Sequence, residues 1–157
     1  QCFHSFFIYE REIPMKYGKW VNQIVSQQLA DGSWGQLHSM SQGNPLTTEK
    51  AIRRLWELGL TADDTPIQLV LDYLHQVLAR KIVPPDSSEK VLNWDYFEEM
   101  ICATWIRRFQ PRDEAALTIA CFWAEIITTA FYSGTYDSAA HEEPYRSKIP
   151  FFSNVAL

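Results

Sequence analysis

Two neighbouring carboxylates can serve as acid and base on one substrate, and the most tempting such pair in this chain is Asp63-Asp64, repeated fifty residues on by Asp113-Glu114. Each pair stands where a helix is expected to begin. An acid there satisfies exposed N–H groups and favours the positive end of the helix dipole, so capping is the first reading of both pairs. Glu125 is the third candidate, a carboxylate inside the most apolar stretch of the chain, Leu117 to Ile127. Two roles fit it: an ion pair in the core with Arg53, Arg54, Arg107 or Arg108, or a general acid with a raised pKa in a cavity. The pair is favoured, because an unpaired buried charge is so costly. The catalytic candidates are therefore Glu125, Asp63 and Asp64.

Other chemistries find less support. His38 and His75 have no partner at ligand spacing and read as surface residues, and His141-Glu142-Glu143 lacks the second histidine of a zinc helix. Ser33 and Ser133 follow no nucleophile-elbow pattern. The three cysteines, Cys2, Cys102 and Cys121, form no CxxC. Cys102 and Cys121 lie among apolar residues and read as small hydrophobes, which points to a reducing cytoplasm. No metal ligand set and no cofactor are expected. The net charge of −5, with acids and bases interspersed, supplies no basic footprint for nucleic acid. Arg107-Arg108, late in a helix, read as partners of its dipole.

These residues depend on the elements that carry them, and those read as helices. Tyr17, Trp20, Val21, Ile24, Val25 and Leu29 recur at helical spacing over 16–29, and Asp31-Gly32 ends the helix. Residues 35–45 have the composition of a loop. Thr47 or Thr48 caps a second helix with an inward stripe of Ala51, Ile52, Leu55 and Trp56, stopped by Gly59. Asp63-Asp64-Thr65-Pro66 opens a third, carrying Ile67, Val70, Leu71, Leu74, Val77 and Leu78 inward, with Arg80-Lys81 at its negative end. Pro84-Pro85-Asp86-Ser87-Ser88 breaks the chain. A fourth helix spans 94–109 with Trp94, Phe97, Ile101, Trp105 and Phe109 on one face, and a fifth runs from Asp113-Glu114 to about Tyr132.

The fifth helix is apolar almost all round and should be buried on several sides. Glu125 at its middle argues against a membrane span. Residues 137–146 suggest a short further helix, and 148–157 an irregular tail. The apolar run Phe3 to Tyr9 reads as the tail of an element that starts before Gln1, so the chain reads as a fragment of a longer one. No segment alternates with period two, and residues 1–157 form a single all-α domain on this reading.

An internal repeat supports helices in pairs. A shift of 50 residues places Leu60-Thr61-Ala62-Asp63-Asp64 on Gln110-Pro111-Arg112-Asp113-Glu114, and a shift of 102 places Gly32-Ser33-Trp34 on Gly134-Thr135-Tyr136. A helix-pair unit of roughly fifty residues falls within the range of repeat architectures.

Gln27-Gln28-Leu29-Ala30-Asp31-Gly32-Ser33-Trp34-Gly35 resembles the glutamine–tryptophan repeat of terpenoid cyclases and protein prenyltransferases. Thr47-Thr48, Ala51, Leu55, Leu58-Gly59-Leu60, Asp63-Asp64 and Ile67 through Tyr73-Leu74 are similar to the second half of such a repeat. The resemblance covers residues 17–80 and implies an α/α toroid of inner and outer helices around a cavity. In this hinge Gly32 lets the backbone reverse, Trp34 covers the end of the helix, and a glutamine amide pairs with unsatisfied groups at a helix terminus.

The family's catalytic sets do not carry over. There is no Asp-x-Asp-Asp acid of squalene-type cyclases. Asp63-Asp64-Thr65-Pro66-Ile67 ends in isoleucine where the diphosphate-ionising motif needs an acid. Cys102 and Cys121 lack the Asp-x-Cys context of the prenyltransferase zinc site, and the Trp-Cys and Cys-His-Gly of lanthionine cyclases are missing. The expected function is a non-catalytic module that binds a hydrophobic small molecule or a protein partner on its concave side. The alternative is an enzyme on a polyprenyl or carbohydrate substrate, using one of the named acids. Five or six helices are too few to close a ring, so apolar surface should remain at its ends and could bring copies together as a homo-oligomer.

Overall fold

A computed structural model describes residues 18–39, 46–88 and 94–137. Five α-helices follow in order: α1 Lys19–Val25, α2 Thr48–Glu57, α3 Thr65–Leu78, α4 Trp94–Phe109 and α5 Glu114–Ala130, with a short 3-10 turn at Pro85–Ser88. The described residues contain no strand, and the protein is all-α. The chain groups into two compact units, 1–98 and 99–157. Cys2, the run from Phe3 to Tyr9, loop residues 40–45, and the helix and tail expected beyond residue 137, His141 included, lie outside the described residues.

In the first unit α1 packs on α2 and α2 on α3. The stripes expected of α2 and α3 form the core: Ala51, Ile52, Leu55, Ile67, Val70, Leu71, Leu74 and Val77 are buried, joined by Tyr73. Helix α2 begins as its sequence requires. The Thr47 hydroxyl accepts from Lys50 N, while Thr48 N and Glu49 N donate to the Gln36 and Leu37 carbonyls. Three of the N–H groups left open by a helix start are thereby satisfied. Gly59, with φ +90°, follows the last turn of α2 as a left-handed stop.

Helix α1 is shorter than its periodicity suggests. After Val25 the amides of Gln27 and Gln28 reach back only three residues, and Leu29 N donates across the hinge to Ser33 O (2.8 Å). The helix therefore stops four residues before Leu29. Only Val21 and Ile24 are buried on it, and Trp20 and Leu29 are exposed, as is Trp56 on α2.

The hinge does what its residues predict and adds a long-range tie. Gly32 takes φ +88°. Trp34 is 2% exposed, and its indole N–H donates to Ile24 O in the last turn of α1 (2.8 Å). Its backbone N–H donates to the Thr48 hydroxyl (3.0 Å). The Gln28 amide donates to Gly32 O and to Pro66 O, both at 2.9 Å, which pins the hinge to the first turn of α3. Asp31 Oδ1 accepts from the backbone N and hydroxyl of Ser33, tightening the turn.

Helix α4 has the expected bounds. Trp94, Ile101 and Trp105 are buried, while Phe97, expected on that face, is exposed at its edge. In the second unit α5 departs from expectation: only Ala116, Ile126 and Ala130 are buried, and Leu117, Cys121 and Ile127 are exposed. An apolar helix needs cover on several sides, but its own composition does not provide the cover. Cys102 is buried as a small hydrophobe should be, whereas Cys121 is not.

Candidate functional site

The acids singled out by spacing occupy helix starts and the surface. Asp63 is exposed. Asp64 is the residue preceding α3, but its carboxylate accepts from Thr61 N (2.7 Å) and the Thr61 hydroxyl (3.2 Å) and makes no cap bond to α3 itself. It shapes the turn before the helix. Asp113 does cap α5, accepting from Ala116 N at 2.9 Å, with Glu114 exposed in the first turn. Glu125 is exposed on α5, and Arg53, Arg54, Arg107 and Arg108 are exposed as well. This corrects the expectation of a buried ion pair or a cavity acid at Glu125. The apolar run around it is one-sided in its burial, and Glu125 falls on the open side.

Among the described residues the buried carboxylates are Asp86 and Glu98, neither of them among the expected candidates. Asp86 is fully buried in the 3-10 turn. Its Oδ1 accepts from Leu37 N (2.9 Å) and its Oδ2 from His38 N (2.8 Å) and Ser39 N (2.9 Å). Three consecutive N–H groups of the loop after the hinge thus converge on one charge. Glu98, only 3% exposed, accepts from the Ser87 hydroxyl (2.7 Å) and the Arg80 guanidinium (2.9 Å). Arg80 was expected to complement the dipole of α3. It stands just past the end of that helix in the left-handed region (φ +57°) and also serves Glu98, with Asp95 at 3.9 Å.

His38, expected at the surface, is exposed there and firmly held. Its Nδ1 meets Glu49, which also pairs with Arg53 one turn along α2, and its ring stands edge-on to Phe97 at 4.8 Å. His75 is spent on its own helix, with Nδ1 2.8 Å from Leu71 O. A signal for Glu98 was present in the sequence. Trp94, Glu98, Ile101 and Trp105 are spaced four, three and four apart, so Glu98 lies on the buried stripe of α4. Asp86 had no such signal, since its partners are 47 to 49 residues away.

Burial pushes the Glu98 carboxyl above its ordinary value, and Asp95 adds to that. The Ser87 hydroxyl, the Arg80 charge and the Trp94 indole pull it back in part, although the indole N–H completes no full hydrogen bond. The folded protein therefore holds this proton more tightly than the unfolded chain does. The stability so gained is complete below the ordinary glutamate value and is lost as pH rises through the raised one. Glu98→Gln, which keeps the shape and hydrogen bonds without the charge, is expected to leave stability within about 1 kcal/mol of the parent at pH 7 and to flatten the slope above pH 4.5. Glu98→Ala strands the Ser87 hydroxyl beside a void and is expected to cost about 2–3 kcal/mol. Urea unfolding of both variants at two pH values checks the pair.

A groove of about 530 Å³ opens between α1 and α2. Ile24, Leu46 and Leu58 give it apolar walls, and Trp20, 66% exposed, stands over it. Gln23 and Gln27 on α1 and Arg54 and Glu57 on α2 supply polar groups. The Gln27 amide nitrogen is engaged by Gln23 O at 2.8 Å.

Among the described residues no group of three His, Cys, Asp or Glu side chains is placed to hold a metal ion, and no helix is long and apolar enough to cross a membrane. The chain matches no family model, no curated protein and no solved structure.

Proposed function

We infer that the chain is a helical-repeat binding module of the α/α-toroid type, without catalytic activity of its own, and that it takes a protein segment in the groove between α1 and α2. The observation that carries this reading is the groove lining. An exposed tryptophan over three aliphatic side chains suits one bulky apolar side chain of a partner. The carboxamide of Gln23 and the opposite charges of Arg54 and Glu57 suit the polar backbone and flanking residues of a peptide. A purely hydrocarbon ligand would leave those polar groups without partners, which favours protein over polyprenyl. The hinge that resembles terpenoid cyclases supports the architecture and not an activity, because Gln28, Asp31, Ser33 and Trp34 are all engaged in holding helices together. The exposed apolar side chains of α5 suit an open repeat end, where a homo-oligomer would form.

The test is selection from a displayed peptide library against the whole chain, with counter-selection on Trp20→Ala. Peptides sharing one bulky apolar residue, with binding reduced at least tenfold by Trp20→Ala, are the expected outcome, equivalent to about 1.4 kcal/mol. Selected peptides indifferent to Trp20, or a long-chain isoprenoid alcohol that competes for Trp20 while no peptide does, would overturn the reading.

A further inference from the structure

Asp86 and Ser87 are adjacent residues of one 3-10 turn, and their side chains point to two different places. Asp86 holds the backbone of Leu37, His38 and Ser39, and Ser87 holds Glu98 on α4. A turn of four residues cannot shift one of these without moving the other. We propose that residues 84–87 form a proton-linked strap, in which the ionisation of Glu98 is transmitted through Ser87 and Asp86 to the loop that carries His38.

The direction follows from comparing the covered and uncovered states of Glu98. Beneath the strap the carboxyl is desolvated and holds its proton more tightly than it would in water, despite the help that Ser87 and Arg80 give its charge. Deprotonation therefore favours the state in which Glu98 is hydrated, and that state requires the strap to lift. Low pH closes the strap and rising pH loosens it. The charged and titratable groups around it are Arg80 at the end of α3, Asp95 on α4, Asp86 in the strap, and the Glu49–His38 contact with Arg53 on α2. All of these remain in a Glu98→Gln variant, so the difference between the two proteins isolates the proton of Glu98. When the strap lifts, the N–H groups of residues 37–39 lose their acceptor, and His38 loses the backbone anchor that sets its ring against Glu49 and Phe97. The device would place a surface histidine under the control of a buried acid.

The experiment is amide hydrogen exchange at Leu37, His38 and Ser39 in the full chain from pH 4.5 to 7, corrected for the intrinsic pH dependence of exchange. Protection of these three amides is expected to fall by about twofold or more as pH rises, through the linkage of one proton. In Glu98→Gln the fall is absent. In Ser87→Ala, which cuts the strap from Glu98 and leaves Asp86 in place, protection no longer follows pH. Flat protection in the parent protein overturns the proposal. A Glu98→Gln or Ser87→Ala variant that keeps the parent's pH dependence overturns it too. The parent titration alone decides the matter if either variant fails to fold.

Discussion

Alanine at position 32 is expected to destabilise the protein by roughly 3 kcal/mol or more, while alanine at position 59 costs only about 1–2 kcal/mol. Both glycines hold nearly the same left-handed backbone, φ +88° and +90°, so both changes carry the same conformational penalty. The difference lies in what surrounds them. A Cβ on Gly32 would stand 2.2 Å from Leu69 O and 3.2 Å from Val70 N, which are backbone atoms of α3 and cannot turn aside. A Cβ on Gly59 would meet nothing within 4 Å. To admit alanine, the hinge must withdraw from α3. That motion breaks the Gln28 amide's link to Pro66 O and disturbs Trp34, whose backbone and indole N–H groups tie the hinge to α2 and α1. Urea unfolding of the two variants side by side measures the contrast. Equal losses would mean that the hinge can withdraw from α3 without breaking the ties that hold it there.

The same glycine shows why the helices were legible in the sequence and parts of the site were not. Caps, stops and stripes are local: Thr47, Gly59, Pro66 and the apolar spacing of α2 and α3 act within a few residues of themselves. The close approach of Gly32 to α3 is not local, and neither is the convergence of three loop amides on Asp86. A run of prolines before Asp86 reads as a chain break, which it is, but it says nothing of a partner 47 residues upstream. Glu98 is an intermediate case. Its place on the stripe of Trp94, Ile101 and Trp105 was readable, but a carboxylate is ordinarily assigned to the outer face. Glu125 shows the converse. Apolar neighbours in sequence gave it the look of a buried acid, and burial on α5 is confined to Ala116, Ile126 and Ala130. Composition records how much cover a helix wants, whereas tertiary contacts decide which side receives it.

Asp86→Asn should be the most informative substitution in the loop, with an expected loss of about 2–3 kcal/mol despite near-identical shape. The carboxylate offers two acceptor oxygens to three N–H donors. Asparagine offers one oxygen and one NH₂ group. If its oxygen faces His38 and Ser39, its NH₂ confronts Leu37 N–H, donor to donor. If the amide flips, two N–H groups are left facing the NH₂. Either arrangement leaves at least one buried or partly buried donor without its acceptor and removes the charge that strengthens the others. Asp86→Ala removes both acceptors and opens a void, so it should cost more than the asparagine change. The damage is expected at a distance as well. Leu37 is completely buried, and its carbonyl accepts from Glu49 N at the start of α2. A loop that slips at Asp86 therefore frays the first turn of α2 and slackens the contact between His38 and Glu49. Hydrogen exchange should show residues 37–39 and Glu49 losing protection together, in excess of the global change. If Asp86→Asn unfolds at the parent's urea midpoint, the three amides find other acceptors and the loop is not held by this carboxylate.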